Sequence, residues 1–76
     1  MQPDDSSPPL TERQALAIAR EACARRGWPW QEPVIVKHGS DGTWHLRTNG
    51  QARGSNALFV IDKATGRVLS ERFAPR

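Results

Sequence analysis

The succession of hydrophobic periods along this chain predicts an α+β domain, with one N-terminal helix packed on a four-stranded antiparallel meander sheet. Three observations lead there. Residues 12–26 are good helix formers with apolar positions at helical spacing. Four strand-like runs follow, separated by turn sequences that contain Gly. The chain has 76 residues, enough for one small core and no second domain.

Residues 1–9 hold three of the six prolines and no large apolar side chain except Met1, so burial cannot offset the entropy of ordering them. They are expected to form a flexible arm ahead of a single domain over 10–76. Thr11-Glu12-Arg13-Gln14 is a capping box: the Thr11 side chain accepts from the Gln14 backbone and the Gln14 side chain reaches back, with Leu10 at the staple position. The helix runs to Arg26, where Gly27 supplies a left-handed C-cap and Pro29 prevents continuation. At about 100° per residue, Ala15, Ile18, Ala19, Ala22 and Cys23 form one stripe with Leu16 at its edge. Its small side chains imply close approach to a sheet.

After Pro33 the period changes to alternation, and strands are expected over 34–38 and 43–48. A three-residue Ser40-Asp41-Gly42 loop with Gly42 left-handed pairs Gly39 with Thr43, His38 with Trp44 and Val36 with Leu46. That register gathers Val34, Val36, Trp44 and Leu46 on one face and Lys37, His45 and Arg47 on the other. An even-length loop would mix the two sets. Residues 49–55 form a polar connection that carries Arg53. In the run 56–61, Ala57, Leu58, Phe59, Val60 and Ile61 are apolar on both faces, as in a central strand.

The turn Asp62-Lys63-Ala64-Thr65-Gly66 leads to a last strand over 67–73. With Asp62 opposite Arg67, Leu58, Val60, Leu69 and Phe73 share one face, and Ala57, Phe59, Ile61 and Val68 the other. One helix covers only one face. The second set is expected to be exposed, shielded by the arm, or buried against a partner or a second copy.

Net charge is +3 and the isoelectric point about 10.0. All 11 bases lie beyond Leu10 while Asp4 and Asp5 precede it, leaving the domain 6 of the 8 acids, a balance that points to an anionic partner. The bases are scattered, with Arg25-Arg26 the only adjacent pair and already suited to the negative end of the helix. A single cysteine, Cys23, excludes an internal disulfide and favours a reducing compartment. No apolar run approaches the ~20 residues that cross a bilayer, and the polar, acidic start is unlike a signal peptide. A soluble, cytoplasmic chain without membrane contact is expected, periplasmic if an export signal has been trimmed.

Cys23 lies on the apolar stripe, where a thiol is an inert small hydrophobe rather than a nucleophile served by His38 or His45. The two histidines and one cysteine lack zinc-site spacing. No catalytic residue, metal or cofactor is expected. Trp28-Pro29-Trp30 is a rigid pair of indoles, with Trp30 expected to close the core and the more exposed Trp28 to offer a contact platform. Lys37, His45 and Arg47 make the outer sheet face the better binding surface. No RNP-like motif, helix-turn-helix or KH-type loop accompanies it, so nucleic acid ranks behind a protein partner.

The helix segment Ala15-Leu16-Ala17-Ile18-Ala19, the strand with Trp44 and the hairpin Val60-Ile61-Asp62-Lys63-Ala64-Thr65-Gly66-Arg67-Val68-Leu69 together resemble the small PepSY-like domains. They are similar also to short immunity proteins of the nuclear transport factor two fold. The resemblance implies a non-enzymatic module that restrains a peptidase or blocks a toxin. The expectation is a non-catalytic protein-binding module that occludes its partner, or associates with itself, through a sheet face, using Trp28, Lys37, His45, Arg47, Arg53, Phe59 and Ile61. A small basic nucleic-acid-binding domain is the alternative.

Overall fold

A computed structural model describes residues 9–75, in the order α1 (Glu12–Arg26), β1 (Ile35–His38), β2 (Thr43–Arg47), β3 (Asn56–Asp62) and β4 (Val68–Ala74). Of the expected arm, only Pro9 falls within the described residues; residues 1–8 lie outside them. The helix begins and ends at its caps. Gln14 N–H donates to the Thr11 hydroxyl at 3.2 Å, and Thr11 N–H donates to the Gln14 side chain at 2.8 Å. At the other end Gly27 takes φ 74°, which lets its own N–H and that of Trp28 satisfy carbonyls of the last turn.

Ala15, Ala19, Ala22 and Cys23 are completely buried against β2 and β3. Small side chains on the helix allow large ones on the sheet, and Trp44, Leu46, Phe59 and Ile61 fill the layer between them. Each such side chain contributes about 1.5–3 kcal/mol when fully buried. The result is an α+β fold, one helix on a four-stranded antiparallel sheet of order β1-β2-β3-β4.

The first hairpin has the expected register, with Val36 opposite Leu46 and His38 opposite Trp44. Gly39 N–H donates to the Thr43 carbonyl at 2.7 Å and Gly42 is left-handed, as the odd loop requires. The connection from β2 to β3 is more than a polar turn. Asn56, 4 % exposed, donates its side-chain amide to the carbonyls of Thr48, Asn49 and Ala52 and accepts from Gly54 N–H. The Thr48 hydroxyl accepts from Ala57 N–H at 2.8 Å. Buried polar side chains thus satisfy loop backbone that no strand partner reaches.

The third hairpin corrects the expectation. Asp62 N–H does donate to the Arg67 carbonyl, at 2.9 Å, and Ile61 pairs with Val68. The register then slips: Val60 pairs with Ser70, so Leu69 is the extra residue of a β-bulge and stands 55 % exposed. Every later residue of β4 is displaced by one. Phe73 comes opposite Ala57 and joins the helix-side core instead of sharing a face with Leu58 and Val60.

Candidate functional site

The sheet divides the predicted binding residues between its two sides. Lys37, His45 and Arg47 lie together on the side away from the helix, as the hairpin register implies. They border a shallow depression of about 400 Å³ with Ile35, Leu58, Val60, Ser70 and Arg72. Lys37, His45 and Arg72 are exposed, and Ile35, Arg47, Leu58 and Val60 half-buried. Arg47 is anchored there, because its guanidinium donates to the Ala52 carbonyl at 3.0 Å.

Phe59 and Ile61 are on the other side, 1 % and 0 % exposed beneath the helix. The apolar set expected to be left over is therefore the one the helix covers, and Leu58 and Val60 are the apolar residues of β3 on the open side. The small helix stripe explains the choice, since it accommodates the bulkier Phe59 and Ile61. Trp28 also belongs to the helix side: its ring is 5.7 Å from Phe73 and 6.2 Å from Phe59, with the Arg26 guanidinium 5.6 Å from its centre. The expected division between the two indoles is corrected in part: both are half-buried and packed against the core, Trp30 as expected and Trp28 as well, and Trp30 also lines a cleft between α1 and β1 with Leu16, Val34 and Val36. Arg53 is exposed in the β2–β3 connection.

Two small polar clusters were not foreseen. At the first turn, the Thr43 hydroxyl donates to Asp41 at 2.6 Å and lies 3.0 Å from His45 Nε2. A hydroxyl has one proton to give, so the imidazole must donate to it. This wiring is the reverse of nucleophile activation, where the base would take the hydroxyl proton. The Thr43 hydrogen bond holds the Asp41 carboxyl below its ordinary pKa. On the helix side, the His38 ring lies 4.3 Å from that of Trp44, tilted by 34°, and accepts from Lys63 at 2.7 Å, while Trp44 Nε1 donates to the Leu10 carbonyl.

Cys23 is fully buried, its Sγ directed at the Trp28 and Pro29 carbonyls, and burial raises its pKa. Among the described residues no group of three or more His, Cys, Asp or Glu is placed to hold a metal ion. No helix there is long and apolar enough to cross a membrane.

Ile35, Leu58, Val60, Ser70 and Arg72 were absent from the predicted site. Leu58 and Val60 could have been found from their parity with His45 and Arg47 across β2 and β3. Ser70 and Arg72 could not, because they reach this face only through the bulge at Leu69. The class that fold and site define is a two-layer α+β domain with one basic sheet face that no described element covers. Comparison with protein-family models, curated proteins and solved structures yields no match.

Proposed function

We propose that the chain is a non-catalytic protein-binding module of the PepSY-like or immunity kind, which docks on a partner through its open sheet face and occludes it. The observation that carries this reading is the composition of that face: half-buried Ile35, Leu58 and Val60 among Lys37, His45, Arg47 and Arg72. Aliphatic area inside a polar rim is the anatomy of a protein interface. The rival nucleic-acid reading draws on the excess of bases. Single-stranded nucleic acid binds by stacking on exposed aromatic rings, whereas the Trp and Phe rings of this chain lie on the helix side and His45 is the sole ring on the open face.

The test is capture from a nuclease-treated lysate of the source organism, followed by identification of the captured protein and calorimetric titration with it. Leu58→Ser together with Val60→Ser is expected to weaken that binding about tenfold or more, while Ala17→Ser on the exposed side of α1 leaves it unchanged. Binding indifferent to the double substitution, or capture abolished by the nuclease, would overturn the reading.

A further inference from the structure

We infer that the open sheet face takes an acidic amphipathic segment of the partner, an apolar ridge with carboxylates along both flanks. This rests on the protein-binding reading and names the chemistry of what binds. The strand register lays the face out as a grid. Arg47, Leu58 and Arg72 form one cross-strand row, and His45, Val60 and Ser70 the next. An apolar stripe therefore runs along β3, bordered by His45 and Arg47 on β2 and by Arg72 on β4. With strands about 4.8 Å apart, the backbones of Arg47 and Arg72 straddle Leu58 at about 10 Å.

Among the described residues no carboxylate lines this depression; Asp41 is at its edge, in an adjoining hollow with Lys37 and His45. Among the described residues, Lys37, Arg47 and Arg72 form no ion pair; those present, Arg25 with Glu21 and Arg26 with Glu71, belong to the helix and its contact with β4. Asp41 and Asp62, at the turn end of the sheet, accept from the hydroxyls of Thr43 and Thr65. Among the described residues no ion pair takes up Lys37, Arg47 or Arg72, and the anchored Arg47 has further N–H donors with which to grip a carboxylate.

Two alternatives fit less well. A phosphate polymer would meet the cations but leave the aliphatic stripe uncovered. A second copy docked face to face would set Lys37, Arg47 and Arg72 against their own counterparts. A ridge of apolar side chains flanked by carboxylates satisfies both parts of the grid, and covering the stripe excludes water from the ion pairs and strengthens them.

The probe is a twelve-residue peptide of repeating Glu-Leu-Leu-Glu, compared with polyglutamate and with oligothymidylate of the same length. Binding is followed by amide NMR shifts of the intact chain. The peptide is expected to shift Lys37, Arg47, Leu58, Val60 and Arg72 and to bind about tenfold or more tightly than either comparator. Arg72→Gln, on an exposed side chain that forms no ion pair among the described residues, should weaken it about tenfold. Equal binding of polyglutamate or the oligonucleotide, shifts confined to other residues, or no binding at millimolar peptide would overturn the inference. If the peptide fails while an identified protein partner still depends on Leu58 and Val60, this inference falls and the protein-binding reading stands; if that dependence is missing as well, both fall.

Discussion

Asp41 occupies an exposed turn, yet its carboxyl is held below the ordinary value chiefly by the Thr43 hydroxyl and then by its own backbone N–H. A carboxyl whose pKa is lower in the folded chain than in the unfolded one stabilises the fold above the unfolded value, and that contribution disappears as pH falls through the folded one. Asp41→Asn keeps the shape and removes the charge. The variant should be less stable than the wild type near neutral pH, and the gap should close as pH drops through and below the usual carboxylate range near 4. Urea midpoints across that range check it, and a gap that widens on acidification would contradict it. Gly39 sets a second limit here, because a Cβ at that position would collide with the Thr43 hydroxyl and the His45 ring. Residue types alone suggested turn chemistry for Asp41 and Gly42, but the trio with Thr43 and His45 needed the hairpin in three dimensions.

Among the elements, the helix and the first hairpin were legible because their signals are local. A capping box and a C-cap glycine lie within the segments they delimit, and a three-residue loop sets the register beside it. β4 was expected as a strand, but its register beyond Val68 was not legible, since nothing in Val68-Leu69-Ser70-Glu71 announces a bulge. Leu69 is the unpaired residue, and removing it leaves the pairs Val60–Ser70, Leu58–Arg72 and Ala57–Phe73 as they are. Deletion of Leu69 should therefore be tolerated, with cooperative unfolding and a midpoint within roughly 8 °C of the wild type, equivalent to about 1 kcal/mol in a domain of this size. Thermal unfolding followed by indole emission measures this, with Trp28 against Phe73 as the reporter of the core. A loss of cooperativity would show that the bulge itself holds the sheet together.

Across the two layers as a whole, one sheet face is covered by no described element, and its cations disfavour self-docking on that face. The chain should sediment as a monomer at submillimolar concentration and moderate salt. A dimer that dissociates on Leu58→Ser would refute this and make the face a contact between copies. The amino-acid order was sufficient for the helix with both its ends, the odd-loop hairpin, the meander and the outward set Lys37, His45 and Arg47, because turn geometry and period act over a few residues. Which side of β3 the helix covers, where Phe73 and Arg72 point, and that Trp28 joins Trp30 against the core were settled by packing. A one-residue slip reverses every side chain beyond it, and the difference between the two registers lies in long-range contacts such as Phe73 with Trp28.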